Sequence, residues 1–179
     1  MPGRSKAARR QVNLPGRLKM TSPRYSGVQK DAIPSAPLPG GAGELELVSG
    51  TFEGVEGPIH PLTGVFMSVV RLIPGGRADL PAPRGRSVFL YVARGNVSVG
   101  EVAAERWHLV TLNDDVDKVA LAAGAEGAVL LFGHADPIGE PVVAHGPFVM
   151  NSEAEIRQAV VDYQAGKFQG DGKLVAVGQ

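Results

Sequence analysis

GVFMSVVRLIPGG (64–76) and SVFLYVARGNVSVG (87–100) decide the fold class. Both are short apolar runs rich in Val, Phe and Tyr, and both end at glycine, the pattern of a buried or half-buried strand closed by a turn. Gly95-Asn96 inside the second run predicts a tight hairpin. The neighbouring segments repeat the theme: ELELVSG (44–50) alternates, and RWHLVTLNDD (106–115), KVALAAG (118–124) and GAVLLFGH (127–134) each stop at a turn signal. Regular short strands with turns between them predict an all-β sandwich or barrel.

On the N-terminal side the character changes. PSAPLPGGAG (34–43) reads as a Pro/Gly linker, and VNLPGRLKMTSPRYSGV (12–28) as irregular or extended chain. Residues 1–10 are small and basic with no periodicity, which predicts disorder. On the C-terminal side GPFVMNSEAEIRQAVVDYQAGKF (146–168) predicts a short strand and one helix. Pro147 fixes its φ, Phe148–Met150 form an apolar run, and Ser152 with Glu155 has capping-box spacing. Ile156, Ala159, Val160 and Tyr163 then recur as one apolar stripe, and Gly166 and Lys167 stand where a stop is expected.

Composition removes several function classes. The chain has 179 residues, enough for one domain with a substantial core, and no cysteine. That excludes disulfides, thiolate catalysis and cysteine zinc sites, and it suits a reducing, cytoplasmic setting. No apolar run approaches the roughly 18 residues of a membrane span, and no secretory signal is evident. The net charge of zero hides an asymmetry: residues 1–30 carry eight Lys or Arg and no acid. Such an arm binds nucleic acid or an acidic surface in some proteins, but without interleaved aromatics a solvated leader is the expectation.

VNLPGRLKM, PRY, GTFEGVEGP and above all EPVVAHGPFVMNSEAEIRQAVVDYQAGKF resemble the pirin family over about Val12 to Phe168. The resemblance implies a two-domain cupin architecture in which the NLP-K-M-PRY segment leaves an N-terminal cupin and the remainder is the C-terminal cupin. On that basis residues 1–10 are a disordered basic leader and 11–43 an inter-domain-type linker. Residues 44–170 are a cupin-type β-sandwich or jelly roll closed by one helix over 152–165, and 171–179 a flexible tail. The family's iron site, three histidines and a glutamate, lies in the N-terminal cupin, which has no counterpart here. The expectation is a truncated bicupin, by natural truncation, a misplaced start or a split gene.

The general cupin pattern G-x5-H-x-H-x3,4-E-x6-G places imidazoles and a carboxylate inside the barrel. Laid on this chain from Gly75 to Gly95, it puts the histidine positions on Pro81 and Pro83 and the glutamate on Val88. The second motif's histidine falls near Gly127, and no histidine occurs between 61 and 107. The remaining candidates are His60, His108, His134 and His145, of which His134 with Asp136 comes nearest to a ligand pair. None has the tight spacing of a metal site. Asp114, Asp115 and Asp117 make an acidic turn without the length of a calcium loop. No nucleophile elbow frames a serine. Trp107, Phe89, Tyr91 and Phe132 are expected in the core or lining a cavity.

No catalytic, cofactor-binding or metal residue is therefore assigned, and no cofactor is expected in this chain. Two functions remain. One is a metal-free binding, structural or regulatory module that self-associates or binds a separate cupin or regulatory protein. The other, implied by the resemblance, is part of an iron-dependent quercetin 2,3-dioxygenase whose metal domain lies elsewhere.

Overall fold

In β6 (Phe66–Leu72) Phe66, Ser68, Val70 and Leu72 are buried while Met67, Val69 and Arg71 are half-buried, so the period-two alternation assigns inner and outer faces directly. The computed structural model describes residues 12–22, 26–113, 117–168 and 175–177. The leader 1–10 and most of the tail 171–179 lie outside them. The described residues fall into two compact units, one from 12–22 with 138–168, the other holding the remainder.

The larger unit is an all-β cupin-like fold. Its sheet runs β10 (Leu109–Leu112), β8 (Ser87–Val99), β11 (Lys118–Ala135), β6, β3 (Gly43–Ser49) and β2 (Ser35–Pro37), with antiparallel neighbours throughout. β7 (Arg77–Pro81) pairs with β11, and β9 (Val102–Ala104) pairs with β8. The inward residues of all these strands join one core that includes Leu45, Leu47, Val70, Leu80, Leu90, Val92, Leu121, Leu130 and Phe132. A small hairpin of β4 (Thr51–Phe52) and β5 (Val55–Glu56) adds Phe52 to it.

The predicted hairpin at Gly95-Asn96 does not form, because β8 runs straight through it. Gly95 has φ +71° and lies opposite Ala128 at a break in the β8–β11 register. A Cβ on Gly95 would stand 2.0 Å from the Gly127 carbonyl oxygen, and one on Gly127 (φ +72°) 2.6 Å from that of Leu72. A positive-φ Gly-Asn serves a bulge as well as a turn; here it bends two long strands so that their far halves close over the core. The true reversal follows at Gly100, between β8 and β9.

The segment expected to be a linker is not uniform. β2 pairs with β3, and Ala36, Leu38 and Ala42 are buried in the core, so residues 35–42 form a structural edge of the barrel. Pro37 is compatible with this because the strand is the outermost one. β1 (Ser26–Val28) pairs in parallel with β14 (Val175–Val177), a piece of the expected flexible tail.

In the smaller unit, β12 (Val143–His145) and β13 (Phe148–Met150) form a hairpin leading into α2 (Glu153–Gln164). Ser152 caps the helix, its Oγ accepting from the Glu155 N–H at 3.3 Å, while the Glu155 carboxylate accepts from the Asn151 N–H at 2.9 Å. The reciprocal bond thus goes one residue earlier than a standard capping box. At the other end Gly166 (φ +74°) donates to Tyr163 O and Lys167 N–H donates to Asp162 O, a Schellman motif. Ile156 and Ala159 are buried, but Tyr163 is 64 % exposed, so the stripe is narrower than the spacing predicts. Tyr163 packs instead edge-on against Phe148 at 5.8 Å. A one-turn helix, α1 (Gly16–Lys19), occupies sequence expected to be irregular; it starts after Pro15, whose carbonyl accepts from Leu18 N–H at 2.8 Å.

Candidate functional site

The inside of the barrel is where a cupin would hold a metal. Alternation along β7 turns Ala78 and Leu80 inward, followed by Ala82, while Pro81 is exposed and Pro83 half-buried. The inward positions are therefore Leu80 and Ala82, one residue before the prolines reached by motif spacing, because the strand pleat and not the motif count sets the face. Val88, at the glutamate position, is inward and buried, and Gly127 is committed to the bulge. Hydrocarbon fills these positions, so they offer no donor atom to iron, and the residues present do not fit that group. Among the described residues no three His, Asp or Glu side chains converge on a point.

The sequence-predicted histidines are not brought together. His60 is exposed beside Glu56 at 3.6 Å, and His145 is exposed on β12. His108 Nδ1 accepts the Glu105 N–H at 3.1 Å, tightening the turn into β10. Asp117 pairs with Arg84 at 3.1 Å, while Asp114 and Asp115 lie outside the described residues.

His134 alone enters the barrel. It is 7 % exposed, lies parallel to the Phe66 ring at 4.7 Å and meets Phe132 edge-on at 6.1 Å. Its Nδ1 and the nearby Arg86 Nε are buried without hydrogen-bond partners. Arg86 Nη2 donates to Gly64 O and, at 3.5 Å, to His134 O, and its Nε stands 3.5 Å from Asp136. Burial, followed by the Arg86 charge, pushes the imidazole down to about 4, against a smaller upward pull from Asp136. His134 is thus a neutral, stacked ring. Asp136 serves Arg86 and does not make a ligand pair with it. An open hollow of about 490 Å³ elsewhere, beside β7, is lined by Arg77 and Asp79, but Lys118 holds Asp79.

A second polar cluster, missed by motif reasoning, lies in the smaller unit. Glu140 Oε2 accepts from the Gly16 N–H at 2.6 Å and from Asn151 Nδ2 at 2.8 Å. Asn151 Nδ2 also donates to Pro141 O at 3.0 Å, and Lys19 Nζ bridges Asn13 Oδ1 at 2.6 Å and Val149 O at 3.3 Å. A Cβ on Gly16 would lie 3.2 Å from the carboxylate, so glycine allows the close approach. The result clamps residues 13–19 onto the C-terminal segment. Arg17 and Lys19 therefore belong to a docked stretch and not to a loose linker. The available signal was that NLPG and EP…MN are both polar-plus-proline motifs in otherwise irregular chain.

The aromatics divide by face. Phe132 is fully buried, but Phe89 and Tyr91 point outward between inward Val88, Leu90 and Val92, and Trp107 is 58 % exposed with φ +75°. Arg106 stacks over the indole at 4.1 Å.

Comparison with known proteins completes the description. The Pirin C-terminal cupin domain family matches residues 67–169. Human pirin is 31 % identical over 162 residues, an alignment covering 87 % of this chain and 54 % of that protein. The pirin-like protein of Caulobacter vibrioides is 35 % identical over 170 residues, covering 93 % and 60 %. The crystal structure of quercetin 2,3-dioxygenase from Acinetobacter baumannii superposes with a TM-score of 0.81 at 29 % identity, over 89 % of this chain and 55 % of that one. The chain spans about half the length of the curated relatives it matches. Among the described residues no helix is long and apolar enough to cross a membrane.

Proposed function

The chain belongs to the pirin family and carries its C-terminal cupin domain, and from that premise we propose that it is a non-catalytic binding and structural module. The observation that supports this reading is the hydrocarbon lining of the barrel: Leu80, Ala82 and Val88 occupy the inward positions where a cupin metal needs imidazole and carboxylate. Oxygenase chemistry on a flavonol needs a redox metal held by such groups. The one imidazole that does enter the barrel is stacked on Phe66 and kept neutral. The module acts through its surfaces, toward a second copy of itself, a separate cupin or a regulatory protein. The cysteine-free composition suits a reducing compartment, and the location proposed with this reading is the cytoplasm.

A second reading rests on the likeness to the Acinetobacter quercetin 2,3-dioxygenase. In it this chain supplies one cupin of a dioxygenase whose iron is bound by another domain. Elemental analysis after gentle purification, with a quercetin assay in the presence of Fe(II), tests the module reading. Repeating the quercetin assay after adding a separate iron-loaded cupin domain distinguishes the second, which alone expects turnover to depend on this chain. We expect no stoichiometric iron and no turnover by the chain alone. About one iron per chain together with quercetin cleavage would overturn the module reading.

A further inference from the structure

The outward face of the large sheet is apolar where a solvated sheet would alternate to polar. Across four strands the register aligns Leu109, Tyr91, Leu131 and Val69 in one row. The adjoining row carries Phe89 and Met67 on either side of Gly133, whose missing Cβ lets the Phe89 ring lie against the backbone: a Cβ there would be 2.9 Å from Phe89 Cε1. Leu109 is 63 % exposed, while Met67, Val69, Phe89, Tyr91 and Leu131 are half-buried. With strands about 4.8 Å apart and a rise of about 3.4 Å per residue, the two rows cover roughly 19 by 14 Å. Contiguous apolar patches of a few hundred Å² are often interaction surfaces.

The charges around the patch are arranged by side. The next outward row reads Arg94, Val129, Arg71, Glu44 from β8 to β3, and Glu46 ends the row of Leu131 and Val69. Arg71 pairs with Glu46 at 3.0 Å and Glu44 at 3.9 Å, leaving a net negative β3 side. Among the described residues Arg94 has no ion-pair partner, and Arg106 adds a second cation beside β10, so that side is positive. The strand order β10-β8-β11-β6-β3-β2 has its centre between β11 and β6.

We propose that this face binds a second copy of the chain about a twofold axis running parallel to the strands between β11 and β6. That operation lays β8 of each copy over β3 of the other, so Arg94 meets Glu44 twice while Leu131 covers Val69 at the seam. It is an isologous contact of sheet on sheet, in which the positive side of one copy faces the negative side of its partner. The proposal rests on the module reading above and adds the surface, the occupant and its orientation.

Sedimentation velocity at micromolar concentration tests it. Wild-type chain is expected to be a dimer, and Leu131→Lys a monomer with an unchanged β circular-dichroism spectrum. Arg94→Glu and Glu44→Arg alone each create two like-charge contacts and are expected to weaken the dimer about tenfold. Mixed together they restore opposite charges at both contacts, and the heterodimer should recover wild-type affinity. A wild-type monomer, or charge variants that the mixture fails to rescue, would overturn the proposal. Neither outcome bears on the module reading, which the iron and quercetin assays decide independently.

Discussion

His134 shows at the scale of one residue how a fold sets chemistry that a sequence leaves open. An unperturbed imidazole titrates near 6.5, whereas in the barrel that of His134 is held at about 4, chiefly by burial and then by Arg86. Between these values the unfolded state binds a proton that the folded state does not, so stability must fall as pH drops through that window and level off below it. The full difference is about 3 kcal/mol. Urea midpoints taken at neutral pH and near the lower value should therefore differ, and His134→Leu should remove most of the difference attributable to this group. An unchanged slope in the variant would show that other groups carry it. The sequence marks His134 as a candidate because Asp136 follows two residues later. It cannot show that the pleat turns one side chain into the core beside Phe66 and the other out to Arg86.

Elements were the most legible scale where a local rule acts alone. Helix α2 and its cap at Ser152 follow from side chain-to-backbone hydrogen bonding within one turn, and the observed helix lies within the predicted 152–165. Ser152→Ala should cost about 1 kcal/mol of local stability, read as faster amide exchange in the first turn of α2 with the barrel amides unaffected. Equal acceleration in both units would mean the helix unfolds only with the whole chain. Legibility failed where one local signal serves two geometries. Gly95-Asn96 supplies a positive φ to a turn or to a bulge, and only pairing with Gly127 and Ala128 across the sheet selects the bulge. The Pro/Gly stretch 34–43 likewise reads as linker, yet Ala36 and Leu38 are drawn into the core by pairing of β2 with β3.

At the scale of the molecule the segment 12–22 is fastened to residues 138–168 through Glu140, which receives both Gly16 and Asn151. Breaking this hub should release the segment. Glu140→Ala is expected to speed tryptic cleavage at Arg17 and Lys19 several-fold while cleavage within the barrel stays at the wild-type rate. Cleavage as rapid in the wild type as in the variant would show that the clamp does not hold in solution. The sequence by itself determined the all-β class, the closing helix and the family, because each is written in short-range periodicity, in caps or in contiguous motif residues. It also determined that the motif-spaced positions lack metal-binding side chains. Tertiary structure alone decided which residues face the barrel, shifting the inward pair from Pro81 and Pro83 to Leu80 and Ala82, and it alone built the Glu140 clamp and the apolar outer face. Those features depend on register between strands tens of residues apart and, in the clamp, on a contact across 124 positions, and no local pattern in the chain encodes such distances.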